Sequence, residues 1–202
     1  TTEIYTLSLH DALPISLTAA QLDILGAARV DSSTFGTGDS GEITVTASGA
    51  LTIDSRGGER TATGIFNEVK EQAIANGGDI IIRAEAIVVR SAKLSGTMRG
   101  IGDSGDLILE ASTSLSLEDG SDLDVEVNSQ AVGNGGNIVL RAPTIRIADG
   151  TEIEAEIDGE GVVGTVNIVA SDRVAIAGGQ IQVEIDERGR GTSGSLFISA
   201  PV

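Results

Sequence analysis

One phrase recurs six times along this 202-residue chain: a glycine turn, then apolar residues alternating with mostly polar ones, then alanine. Gly41 leads into Ile43, Val45 and Ala47, and Gly78 into Ile80, Ile82 and Ala84. Gly105 precedes Leu107, Leu109 and Ala111; Gly136 precedes Ile138, Leu140 and Ala142. The last two copies run from Gly164 to Val166, Ile168 and Ala170, and from Gly194 to Leu196, Ile198 and Ala200. Four copies open on G-x-G-x-x-G, at 36–41, 100–105, 159–164 and 189–194. A dinucleotide site needs a helix after that motif, because the pyrophosphate sits on the helix N-terminus. Alternation with period two predicts strands instead, so the glycines mark turns and the nucleotide reading falls.

The anchor glycines are separated by 37, 27, 31, 28 and 30 residues. After each alanine comes a corner at Ser48, Glu85, Ser112, Pro143, Ser171 and Pro201, and proline suits a place where a ladder donor is dispensable. Second strands follow around Leu51, Ile87, Leu115, Ile145 and Val174, and three clear third strands around Val125, Ala155 and Val183. Three short strands per repeat, with no helix signal, predict an all-β fold. It is a right-handed, single-stranded parallel β-helix of about six coils, each stacked about 4.8 Å from the next in a rod roughly 30 Å long. A sandwich or propeller does not explain one phrase at a nearly constant step.

Residues 1–16, TTEIYTLSLHDALPIS, lack glycine and fit no coil. They resemble, residue for residue, the in-frame translation of a common sequencing adapter, and are set apart from the repeat domain at 17–202. That domain, ending inside its sixth copy, reads as truncated at both ends. His10 and Tyr5, the one histidine and the one tyrosine, lie in the adapter-like segment. The remainder carries 28 acidic residues against 13 basic ones and no histidine, cysteine or tryptophan.

That composition excludes thiolate and imidazole metal sites and the Ser-His and Cys-His nucleophile systems. The negative charge argues against nucleic acid, and the short apolar runs against a membrane span. Carboxylates remain. Aligning the third strands stacks Asp124 on Glu154 and Gln182, then Glu126 on Glu156 and Glu184, then Asn128 on Asp158 and Asp186. Like charges at about 4.8 Å repel by roughly 1 kcal/mol in a water-like dielectric. The plain reading is a solvated acidic face that limits lateral aggregation. The sharper one is weak calcium binding by Asp124, Glu126, Glu154, Glu156, Asp158, Glu184 and Asp186. No other cofactor is expected. A glycosidase needs a carboxylate pair beside sugar-stacking aromatics, and only Phe35, Phe66 and Phe197 are at hand, so no catalytic residue is assigned.

Other outward columns read as structural, with Arg83, Glu110 and Arg141 in one and Asp54, Arg90 and Glu118 in another, alternating in sign. The 37-residue step places an insertion at 56–75, read as a surface loop around one buried residue, Phe66. GTGDSG and GIGDSG are similar to calcium-binding nonapeptide turns, but a period near thirty excludes that class.

The phrases STFGTGDSGEITVTA, GNGGNIVLRAPTIRIADGTEIEAEI and GIFNEV resemble repeats of filamentous-haemagglutinin-like large exoproteins, particularly cyanobacterial ones. The resemblance implies a two-partner-secreted, non-catalytic β-helical stalk, adhesive and exposed outside or on the surface of a Gram-negative bacterium. It implies an outer-membrane secretion partner and a host-cell, carbohydrate or surface receptor. The contrasting expectation is a carbohydrate-active β-helix enzyme, a polysaccharide lyase or glycosidase, working through surface carboxylates.

Overall fold

A computed structural model describes residues 12–59 and 62–201, and among these every named element is a strand. Glu3, Tyr5, His10 and Asp11 lie outside the described residues. The strands form a parallel β-solenoid of about six turns, because each pairs with its counterpart one repeat later rather than with its chain neighbour. The first sheet runs β1 (Ile15–Ala19), β4 (Ile43–Ala47), β7 (Ile80–Arg90), β9 (Leu107–Glu118), β11 (Ile138–Ala148), β14 (Thr165–Ala177) and β17 (Ser195–Ser199). Beside it β2 (Leu22–Leu25) pairs with β5 (Ala50–Asp54), and β5 pairs with β7. A second sheet contains β3 (Arg29–Asp31), β6 (Gly64–Phe66), β8 (Lys93–Ser95), β10 (Asp122–Val127), β12 (Glu152–Ile157) and β15 (Gln180–Ile185). A two-stranded pair, β13 (Glu160–Val162) and β16 (Arg190–Thr192), closes the outline.

The registers are those the repeat dictates. Ile43 lies beside Ile80, then Leu107, Ile138, Val166 and Leu196 in successive coils. Each column of inward aliphatics is therefore continuous, and Ile82, Leu109 and Leu140 are fully buried. Burying one such side chain contributes roughly 1.5–3 kcal/mol, and no coil could do so alone. The anchor glycines are required by the same stacking. A Cβ on Gly78 would sit 2.7 Å from the carbonyl of Gly41, and those on Gly105, Gly136, Gly164 and Gly194 would be closer still to the preceding coil's backbone.

Polar ladders flank the glycines. The Asp39 carboxylate accepts from Asn76 N–H at 2.6 Å, the Asn76 side chain from Asp103 N–H at 3.0 Å, and Asp103 from Asn134 N–H at 2.8 Å. A parallel series joins Asp79 to Asp106, Asn137 and Thr165 at 2.8–2.9 Å. The aspartates of the two G-x-G-D-S-G turns thus bind backbone of the next coil.

Four details depart from the sequence reading. From the third coil onward the first two strands run on as one, and the corner is a register shift such as that between Ala84 and Ala86. Pro143 sits inside that shift in β11, where no ladder donor is demanded. The first strand begins at Ile15, and Ile15 and Ser16 stand in register with Ile43 and Thr44, so part of the adapter-like segment does fit a coil. The insertion is narrower than 56–75: Gly64 pairs with Lys93 and Phe66 with Ser95, and Val69 and Ile74 bridge to Met98 and Ile101. Only 55–63 replaces the short link at 91–92, so the buried Phe66 is a coil residue under the Arg29 guanidinium, 3.6 Å above its ring.

The fourth concerns the corner between the second sheet and the glycine turn, which alternates in length. Val69 and Ile74 bridge to Met98 and Ile101, and these to Val127 and Val132, so the second and fourth coils carry two more residues here than the third. Those extra residues make tight turns, closed by Ala73 N–H to Lys70 O at 3.1 Å and Ala131 N–H to Asn128 O at 2.9 Å. The fifth coil is short again, and the sixth long, with Gly189 N–H on Asp186 O at 2.9 Å. This alternation supplies both residues by which the steps 28 and 30 differ and two of the four by which 27 and 31 differ, the other two lying in the longer β9 and the link after it.

Candidate functional site: the acidic face of the second sheet

The outward face of β10, β12 and β15 carries the carboxylates the sequence singled out. Alternation turns Leu123, Val125 and Val127 inward, which sends Asp122, Asp124 and Glu126 outward. Parallel in-register pairing then sets Asp124 beside Glu154 and Gln182, and Glu126 beside Glu156 and Glu184. Asp158 and Asp186 follow one residue beyond the strands. All seven expected residues share one face.

Their environments differ, and here the solvated-face reading needs correction. Asp124 is only 4% exposed. The coil beneath presents Ser95 and Thr97, whose small side chains let Asp124 sink onto them, with Thr97 Oγ1 donating to Oδ2 at 2.8 Å and Ser95 Oγ at 3.2 Å. Lys93 Nζ stands 3.1 Å from Asp124 Oδ1 and 2.9 Å from Asp122 Oδ2. Burial pushes the Asp124 carboxyl up, and Lys93 and Thr97 pull against it. Burial works against the Lys93 charge, but Asp124 and Asp122 outweigh it and hold the ammonium above its ordinary range. Buried Glu68 adds a second cluster one coil earlier, with Lys70 and, at 3.4 Å, Arg99 on its carboxylate.

The next column is less compensated. Glu156 is half-buried, and burial together with Glu126, Glu154, Asp186 and Glu184 pushes it up to about 7. Glu126 is raised by burial and Asp124, against Arg99 and Lys93. Glu154 is raised by burial, Asp122, Glu152 and Asp124. Asn128 donates to Glu126 at 3.0 Å and Gln182 to Glu184 at 2.8 Å, while Asp158 is held by Arg188 at 3.1 Å. The face can therefore take up protons near neutrality, with Glu156 at its centre. For a cation to reach Asp124 it would have to displace Lys93. Among the described residues no group of three or more carboxylates gathers on one point as a metal cage would.

Lys93, Ser95, Thr97 and Glu68 were not singled out from the sequence. They lie in or just beyond strands of three residues that offer one or two apolar positions each, too few for an alternation to register. The faint signal was the pair Ile65 and Val69 in GIFNEV, matched by Leu94 and Met98 in KLSGTM.

The other outward columns stand as aligned. Arg83 and Arg141 both bind Glu110, at 2.8 and 3.0 Å, and Arg90 and Arg146 both bind Glu118, at 2.5 and 3.0 Å. Among the described residues no helix is long and apolar enough to cross a membrane. No protein-family model matches the chain, and neither does a curated protein or a solved structure.

Proposed function

We propose that this chain is a stalk segment of a secreted or surface-displayed bacterial exoprotein, structural and adhesive rather than catalytic. The observation that carries the reading is the direction of the surface bonding. The Asp39–Asn76–Asp103–Asn134 series, its Asp79 neighbour and the Arg83–Glu110–Arg141 column all bond from coil to coil along the rod. Side chains committed to the axis resist pulling apart of coils, which is what a stalk under tension requires. With the resemblance to filamentous-haemagglutinin-like repeats, this implies passage through an outer-membrane secretion partner and display on a Gram-negative surface. The partner is a host-cell, carbohydrate or other surface receptor.

A second reading draws on Glu156, a carboxyl protonatable near neutrality whose neighbour Glu126 feels Arg99 and Lys93 on the same face, as an acid in polysaccharide cleavage. One experiment separates the two. Beads coated with the chain are tested for adhesion to cell and polysaccharide surfaces, and the supernatant for released reducing ends and unsaturated sugars. Adhesion without sugar release is expected. Sugar release that Glu156→Gln abolishes would replace the stalk with an enzyme.

A further inference from the structure

The alternating corner leaves a slot. The turns at Glu71–Gln72 and Ser129–Gln130 project from the second and fourth coils, and the third coil, shorter by two residues, lies between them as a floor of Arg99, Gly100 and Ile101. The resulting cavity is about 420 Å³. Its walls are two coil steps apart, roughly 9.6 Å between backbones, which leaves between them the place of one further polypeptide chain at inter-strand spacing. Among the described residues, no backbone hydrogen bond reaches the N–H groups of Glu71, Gln72, Ser129 or Gln130. Gln72 and Gln130 both hold left-handed backbone, at φ 68° and 73°, which thrusts the turns outward. The equivalent slot over the fifth coil is different, because Arg188 reaches Asp158 there at 3.1 Å.

Three features of this edge favour a polypeptide occupant of its own kind. Ridge and slot have the same thickness and lie one coil apart, so a twofold axis between the second and third coils puts each copy's ridge in the other's slot. Their charges match: Glu71 on the ridge is exposed, and Arg99 on the floor carries a guanidinium that meets Glu68 at the long distance of 3.4 Å. The edge also carries exposed aliphatics, Ile74 at 59% and Ile101 at 51%, with Phe35 at 76% over the first coil, where the same axis would bring the Ser129–Gln130 ridge. Across the corner stretches 70–74, 99–101, 128–132, 158–160 and 186–190 there are four basic and five acidic residues, against 13 and 30 in the whole chain. This is where two copies of an acidic rod can approach.

We propose that a second copy of the chain docks here in an antiparallel, twofold-symmetric pair, the Glu71–Gln72 turn of each filling the slot over the third coil of the other. This goes beyond the stalk reading and does not depend on it.

The test is sedimentation of the full chain with three sets of variants. A reversible dimer is expected. Glu71→Arg should weaken it about tenfold or more, as should Arg99→Glu, and the double reversal should restore it. Since the chain has no cysteine, Gln72→Cys reports geometry: near the axis it should form disulfide-linked dimers on oxidation, while Ser112→Cys at the far corner should not. A chain monomeric at millimolar concentration overturns the proposal. So does association through the rod ends, recognised by indifference to Glu71→Arg and equal cross-linking of the two cysteine variants. Arg99→Glu also disturbs Glu68, so the restored dimer of the double variant, with unchanged circular dichroism, is the decisive arm.

Discussion

The carbonyl oxygen of Gly105 lies where the Cβ of Gly136 would be, well inside 3.0 Å. The two glycines are stacked corners of successive coils, and backbone, not a yielding side chain, fills the space. Gly136→Ala must therefore spread two coils or break the ladder, at a cost of at least about 3 kcal/mol. Urea denaturation should show it, whereas Gly57→Ala in the insertion, with nothing within 4 Å of its Cβ, should cost far less despite its φ of 79°.

Glu156 sets the pH dependence of the acidic face. Its folded value of about 7 lies above its ordinary 4.5, so the folded chain binds more protons than the unfolded one between these limits. The destabilisation is complete above about 7, fades as pH falls, and is gone below 4.5. Raised Asp124, Glu126 and Glu154 act in the same sense. Thermal melting should thus rise on acidification across this window. Glu156→Gln should raise stability at mildly alkaline pH and flatten the slope; an unaltered slope would count against the assignment.

Lys93 is the counter-charge for two buried carboxylates. Replacing it with methionine leaves Asp122 and Asp124 uncompensated, costing on the order of 2–3 kcal/mol, below the figure for a sealed pair because the lysine side chain is 21% exposed. Adding Asp122→Asn and Asp124→Asn should recover most of the loss in a denaturation series. No recovery would mean that the lysine acts through its alkyl chain alone.

Glu110 joins two arginines on the open surface. Glu110→Gln should cost about 0.5–1 kcal/mol, since exposed pairs contribute little singly. Glu110→Lys, which stacks three cations, should cost more. Salt should narrow the gap between the two, as measured by chemical denaturation at low and high ionic strength.

Much of this protein is written locally. Alternation from Ile43 to Ala47 and its later copies specifies which side chains point inward, and glycine at 78, 105, 136 and 164 specifies where coils touch. Both are properties of a few consecutive residues, so the parallel solenoid, its registers and the shared face of Asp124, Glu126, Glu154 and Glu156 followed from the sequence. What an outward side chain meets is not local. Asp124 is buried because Lys93, Ser95 and Thr97, about thirty residues earlier, lie beside it and leave no room for water. The slot over Gly100 exists because the coils on either side are longer at the same corner. Only stacking brings such distant lengths and sizes together, so burial, proton affinity and the docking edge were decided by the tertiary structure.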